Sequence, residues 1–306
     1  MFAVVFDRFG GPEVLRVGEV AQPQPGAGEV RIRVRAAGLS PVDGALRAGR
    51  SPAAARLELP HIPGVDAAGV VDAIGDGVAG VGVGDEVFGA VDVARLGGAT
   101  AELAVLRFWA PRGSLPWAEA GAAGTSVETA TRTLDRLGVA AGSTLLIDGA
   151  AGGVGSVAVQ LAVARGARVI GTARRDNLDF LAALGAEPVE YGPALAGRIN
   201  GSVDLALDVA GRGGLGELQE IAGSVLTIAD FNGPELGVPM SVGALGGEPD
   251  GRHGLAVAAG LHAQGRFRVP IQQVYPMTRA PQAHAALERP GRRGKLVIEV
   301  SAPGSE

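Results

Sequence analysis

The stretch Leu145–Arg175, LLIDGAAGGVGSVAVQLAVARGARVIGTARR, decides the fold. Its first four residues continue Thr144 into a short apolar run that reads as a buried strand. GAAGGVG follows as a turn, and SVAVQLAVARG as a helix that is apolar nearly all round. RVIGTA is a second strand. A helix without a polar face is buried, and strands that read as continuous apolar runs belong to a parallel sheet covered on both faces. The turn almost matches the pattern G-x-G-x-x-G. Gly152 and Gly155 hold its second and third positions, but Ala150 stands at the first. The second strand ends in Ala173, Arg174 and Arg175, with no Asp or Glu.

A glycine pattern in a turn is weak evidence alone. Here a strand precedes it, a helix follows it and the next strand begins where a dinucleotide-binding unit places it. Gly152 would let backbone approach a pyrophosphate, and Gly155 would let helix and strand pack closely. The helix N-terminus offers free N–H groups and a positive dipole end to the phosphates. Alanine at 150 is compatible with this if its φ stays below zero. Ala150, Ala151, Gly152, Gly153, Val154 and Gly155 are thus candidate cofactor contacts. An acid at the second strand's end would hold the ribose 2′-hydroxyl of NAD. Arg174 and Arg175 suit a 2′-phosphate, so the expected cofactor is NADP(H). The alternative is that both arginines are solvated strand-end side chains.

Working outward, the texture changes along the chain. Residues 1 to about 110 read as short strands with Gly and Pro turns. In EVRIRVRAAG, Val30, Ile32 and Val34 alternate with Arg31, Arg33 and Arg35, the period of a half-buried strand. From Trp117, WAEAGAAGTSVETATRTLDRLG reads as a helix broken near Gly124. Beyond it strands and helices alternate through DNLDFLAALG, VDLALDVAG and SVLTIAD, which implies a parallel sheet. The closing KLVIEV is strand-like and would complete the N-terminal β region, making the α/β unit an insertion.

Composition removes several classes of function. The chain has 306 residues and no cysteine, which excludes disulfides and thiolate catalysis and leaves only His and carboxylates as zinc ligands. The net charge of -5 and the absence of basic clusters beyond Arg174-Arg175 and Arg292-Arg293 argue against a nucleic-acid partner. No apolar stretch is long enough to predict a transmembrane helix, and MFAVVFDRFGGPEVL does not read as a signal peptide, so the cytoplasm is expected. The four histidines have no metal spacing, although His61 precedes IPG in a turn near the expected cleft. His253, His262 and His284 fall in or beside helical stretches. Lys295 is the only lysine, which reads as coding bias.

FGGPEVLRVGEVAQPQPGAGEVRIRVRAAGLSPVD, PGVDAAGVV, VGDEVFG, LLIDGAAGGVGSVAVQLA, LGA and GKLVIEV occur in the order and spacing of a known family. The chain resembles the medium-chain dehydrogenase/reductase superfamily, and within it the zinc-free quinone oxidoreductases and enone reductases. The resemblance implies an α/β fold in which a Rossmann-type doubly wound parallel sheet is inserted in a GroES-like, β-barrel-type catalytic domain. The expected domains are 1–118 plus 266–306 for the GroES-like part and 119–265 for the NADP-binding part. Zinc-dependent members carry a Cys where this chain has Ser40 and a His-Glu pair where it has Val65-Asp66, so no metal is expected. Tyrosines that some quinone oxidoreductases carry downstream are matched by Ala45 and Ser51. RAGRSPAAARLELP is expected to line the substrate mouth without an aromatic residue.

By position, the resemblance puts Thr129 near the nicotinamide end of the cofactor and Tyr191 near the 2′-phosphate. Val209, Ala210 and Gly211, and likewise Phe231 and Asn232, fall at C-terminal strand ends, where ligands of open parallel sheets bind. Ser40 and Asp43 are the polar residues best placed for catalysis, Asp43 with a structural alternative as a turn brace. The expected reaction is hydride transfer from NADPH to a quinone or an α,β-unsaturated carbonyl, by a homodimer. An NADPH-binding sensor or structural protein without turnover is one alternative, and an enoyl-thioester reductase of a biosynthetic pathway another.

Overall fold

The computed structural model describes residues 1–300; positions 301–306, the end of the expected 266–306 segment, lie outside the described residues. Two compact units emerge. One comprises Met1–Thr125, Leu255–Ala263 and the described residues from Arg268 on, and the other Ser126–Gly254 with Gln264–Phe267.

The first unit begins with an antiparallel pair, β1 (Phe2–Val5) and β2 (Arg16–Glu19). The long strand β3 (Val30–Leu39) leads into the short helix α1 (Pro41–Arg47). Alternation of apolar residues with arginine holds only to Arg35; Ala36–Leu39 are all buried. Strands β4 (Asp66–Ile74), β5 (Glu86–Ala90), β6 (Leu103–Leu106) and β7 (Phe108–Pro111) follow. Helix α2 (Trp117–Arg136) then runs unbroken for 20 residues.

The expected break in α2 at Gly124 is therefore absent, and the reason is packing. A Cβ on Gly124 would lie 2.2 Å from the Gly89 carbonyl oxygen, and one on Gly121 would lie 2.6 Å from that of Ala36. These glycines let helix backbone meet strand backbone, which outweighs their poor helix propensity of about 1 kcal/mol each.

The second unit is built on five parallel strands. They are β8 (Thr144–Asp148), β9 (Arg168–Ala173), β10 (Glu187–Glu190), β11 (Val203–Asp208) and β12 (Ala222–Thr227). Helices α3 (Gly153–Ala164), α4 (Leu178–Ala182) and α5 (Leu215–Ile221) connect them. The strand order is β10-β9-β8-β11-β12, so chain order reverses between β8 and β11. That switch opens a crevice at the C-terminal strand ends. Leu146, Ile170, Val203, Ala206, Leu215 and Leu218 are buried together in one apolar cluster of this unit.

After helix α6 (His253–Ala263), the tail returns to the first sheet through β13 (Ile271–Pro276), α7 (Ala280–Leu287) and β14 (Lys295–Glu299). Strand β14 pairs antiparallel with β3, Leu296 opposite Leu39 and Val297 opposite Gly38. Strand β4 flanks β3 on its other side, with Asp66 opposite Gly38. These two registers bring the ends of three strands distant in sequence to one place. Among the described residues no helix is long and apolar enough to cross a membrane.

Candidate functional site

In the second unit, the glycine-rich turn is held by β8 and β9. Gly149 N–H donates to Thr172 Oγ1 at 3.1 Å and Ala150 N–H to the Thr172 carbonyl at 3.1 Å. The left-handed residue of the turn is Gly149, at φ 89°, one place before the expected position. Ala150 is not among the residues of positive φ, so its methyl costs no backbone strain. It is fully buried, beside Gly171.

The other two glycines differ in what the protein demands of them. A Cβ on Gly155 would sit 2.5 Å from the Gly149 oxygen and 2.7 Å from Ala150 Cα, so nothing larger than hydrogen fits between helix and strand. A Cβ on Gly152 would meet only the Gly149 oxygen, at an ordinary 3.4 Å. The protein's own packing leaves that position room, and bare backbone there faces outward. Gly152, Gly153 and Val154 are half-buried, whereas Ala151 and Gly155 are buried. The first amides of α3 have no partner within the helix. A glycine that packing does not require, beside unpaired helix amides, fits a pyrophosphate at this turn.

The neighbouring strand ends carry charge. Asp148, closing β8, accepts from Thr172 Oγ1 and, at 3.1 Å, from Arg212 Nη2. Arg212 also lies over the Tyr191 ring, its Cζ 4.2 Å from the centroid. Tyr191 follows β10 and Arg212 follows β11, so their stack spans the ends of the two strands between them. Arg175 is largely exposed and paired with Glu190 at 3.0 Å. Arg174 is exposed and forms no ion pair among the described residues.

The remaining predicted contacts fall in different places. Asp208 Oδ1 accepts from the amides of Ala210 and Gly211, each at 2.9 Å, which folds the loop Val209–Gly211 back on its strand. Ala210 reaches the turn itself, its Cβ 2.9 Å from where a Gly149 Cβ would be. Thr129 is half-buried on α2 and spends its hydroxyl on Glu128 and Arg132. Phe231 and Asn232 are exposed, Phe231 at 76%.

The first unit contains a buried polar cluster where β3, β4 and β14 meet. Lys295 Nζ donates to Ser40 Oγ at 2.8 Å and to Asp66 Oδ2 at 3.0 Å. The other Asp66 oxygen takes the Thr125 amide at 2.6 Å. Asp43 Oδ2 takes the Ser40 amide at 2.8 Å, and its Oδ1 the Gly64 amide at 3.2 Å. Asp43, Asp66 and Lys295 are buried, and Ser40 is half-buried. Burial pushes the Asp43 carboxyl up to about 6, against the opposing pull of the Ser40 amide and of the Lys295 charge. Asp43 thus bonds backbone amides at both oxygens. Val65 is in the apolar core.

His61, singled out in its turn, meets the Leu96 carbonyl through Nε2 at 3.1 Å and stands edge-on to Phe6. Burial lowers its basicity. The sequence alone assigns no site role to Lys295, Asp66 or Arg212. Arg212 lay one residue beyond the predicted Val209–Gly211 loop. Lys295 carried a signal in being the one lysine of an arginine-rich chain.

Two family models match the chain: the alcohol dehydrogenase GroES-like domain over residues 26–130 and the zinc-binding dehydrogenase domain over residues 184–298. A quinone oxidoreductase from Rattus norvegicus is 38% identical over 182 residues, covering 56% of this chain and 53% of that protein. The chloroplastic NADPH-dependent alkenal/one oxidoreductase of Arabidopsis thaliana is 35% identical over 199 residues, covering 61% and 51%. The chain spans about half the length of the curated relatives it matches. The crystal structure of an alcohol dehydrogenase superfamily protein from Novosphingobium aromaticivorans superposes with a TM-score of 0.83 at 30% identity, covering 98% of this chain and 100% of the other.

Proposed function

The chain belongs to the medium-chain dehydrogenase/reductase superfamily, with its GroES-like domain and Rossmann-type parallel sheet, and on that premise we propose that it is an NADPH-dependent, zinc-independent oxidoreductase acting on a quinone or an α,β-unsaturated carbonyl. NADPH, when bound, supplies the hydride. The protein's part is to hold, orient and exclude water.

The observation that carries this reading is the charge at the strand ends around the glycine turn. Strand β9 ends without a carboxylate, Arg174 is exposed beside it, and Arg212 with Tyr191 spans the ends of β8 and β9. Two of the carboxylates nearby are engaged, Asp148 by Arg212 and Glu190 by Arg175. A ribose 2′-phosphate would therefore meet the unpaired charge of Arg174 and the remaining donors of Arg212, with the Tyr191 hydroxyl as a further donor. Gly152–Val154 and the first turn of α3 would take the pyrophosphate. Val209–Gly211 would border it, and Thr129, Phe231 and Asn232 complete the proposed contacts.

Zinc independence rests on the donor set. Ser40 and Val65 replace the thiolate and imidazole of zinc-dependent members, and both Asp66 oxygens are already committed to Lys295 and Thr125. The names of relatives support the acceptor class, which includes quinones and alkenals. The homodimer and the cytoplasmic setting belong to the same proposal.

Fluorescence titration with NADPH and NADH, followed by an acceptor screen, tests the reading. Tighter binding of NADPH, with its oxidation by at least one quinone or enone, is the expected result. Tight NADPH binding with no acceptor turned over would favour a sensor or structural role. Binding of neither nucleotide would overturn the proposal.

A further inference from the structure

The buried ion pair Lys295–Asp66 is a poor device for stability, because desolvation of two charges offsets much of their attraction. Its geometry does something more specific. An ammonium has three donors and no acceptor, so in the 2.8 Å contact the Ser40 oxygen must be the acceptor. The serine's own proton is thereby turned away from Lys295, and it finds no acceptor among the described residues. The groups around it are held by further hydrogen bonds. Asp66 is locked by the Thr125 amide as well as by Lys295, and the Ser40 backbone is tied to Asp43, which is itself tied to Gly64. Among Ser40, Asp43, Asp66 and Lys295, only Ser40 is half-buried rather than buried, so it is the residue at which the cluster reaches the exterior. The compact ammonium is also the group this junction needs, since a planar guanidinium presents its donors in a rigid fork.

We propose that the Ser40 hydroxyl is the hydrogen-bond donor to the carbonyl oxygen of the acceptor, and that Lys295, held by Asp66, is a positioning residue that acts through Ser40. This rests on the reductase reading above. As a conjugated carbonyl is reduced, negative charge develops on its oxygen, and a preorganised donor is worth most there. Ser40 keeps its proton throughout. Lys295 polarises the hydroxyl and denies it any other orientation, so the donor is in place before charge appears.

Steady-state kinetics with an enone accepted by the wild type, together with nucleotide binding, provide the test. Ser40→Ala is expected to lower kcat roughly 100-fold, the range found for loss of one such donor, with NADPH affinity unchanged. Lys295→Arg should lower kcat less than that, and the double variant should be no worse than Ser40→Ala alone, because the lysine acts only through the serine. Unchanged kcat in Ser40→Ala, or a Lys295→Arg effect that persists undiminished in the Ser40→Ala background, overturns the proposal.

A second measurement stands even if Lys295→Arg does not fold. With one lysine in the sequence, lysine labelled with ¹⁵N at Nζ gives a single ammonium signal. In protein loaded with NADP⁺, the unreactive ketone cyclohexanone should shift that signal in the wild type and not in Ser40→Ala. A signal that ignores the ketone, or moves equally in both, counts against the inference. Failure of the wild type to bind NADPH or to reduce any acceptor would instead be failure of the reductase reading, and the ketone titration without nucleotide would still decide whether Ser40 and Lys295 receive a carbonyl.

Discussion

The glycine-rich turn after β8 and the polar cluster at the end of β3 are specified by opposite means. The turn depends on what is missing. Gly155 is required because a single Cβ would strike the Gly149 oxygen and Ala150. The cluster depends on what is present and charged, since Lys295 and Asp66 are each tolerable in the interior only because the other is there. The turn is a steric constraint of about one atom's width, and the cluster an electrostatic one of about one charge. The two should therefore fail differently when altered.

The largest effect is expected in the cluster. Lys295→Met leaves Asp66 buried without its countercharge and should destabilise the protein by about 3–5 kcal/mol, read as a fall in the urea midpoint. A loss below 1 kcal/mol would mean that the junction admits water and is not specified by charge.

Asp43 gives the next effect, through pH. Its carboxyl is raised from 3.8 to about 6 in the fold, facing Lys295, Asp66 and the amides of Ser40 and Gly64. The neutral form is favoured, so its contribution is complete below pH 4 and is lost as pH rises through 6. The shift corresponds to roughly 3 kcal/mol. His284, buried on α7 near Arg47 and Glu288, works in the opposite sense. Burial, aided by Arg47, lowers it to about 3, so its contribution is present above 6.5 and lost as pH falls. The two slopes oppose each other between pH 4 and 6. In His284→Leu the Asp43 slope should emerge, stability falling between about pH 4 and 6. A flat profile in that variant would show that the Asp43 carboxyl is not shifted.

The turn should respond sterically, and its glycines should separate. Gly155→Ala is expected to cost about 1–3 kcal/mol of stability by overpacking, and nucleotide binding with it. Gly152→Ala should cost less than ~1 kcal/mol of stability yet weaken NADPH at least ~10-fold, since the methyl lies where the backbone is proposed to meet phosphate. Equal NADPH affinity for Gly152→Ala and the wild type would mean the bare backbone there serves no ligand. The smallest effects belong to the arginines. Arg212→Ala should weaken NADPH about 10-fold with NADH unaffected, while Arg175→Ala, exposed and paired with Glu190, should stay within about 2-fold.

The same contrast explains what could be read from the sequence. The turn lies within seven consecutive residues, and each glycine answers a local backbone requirement, so strand, turn and helix were legible together. Even the apparent defect at Ala150 was soluble, once the left-handed residue proved to be Gly149. The parallel sheet announced itself because strands buried on both faces leave apolar runs. The cluster joins positions 40, 43, 66 and 295, and Lys295 is 255 residues from Ser40. No periodicity links such positions. Only the pairing of β14 and β4 with β3 brings them together, so Lys295 passed for coding bias. Gly124 misled for a related reason, because the strand backbone it accommodates is 35 residues earlier in the chain.

The seclusion of Lys295 has a consequence for solution chemistry. It is the only side-chain primary amine in the sequence, and it is buried where β14 pairs with β3. An acylating reagent can reach it only when the packing around this junction opens. The rate at which that side-chain amine is acylated, followed by mass spectrometry on native protein, is thus a clock for the local opening of the fold around this junction.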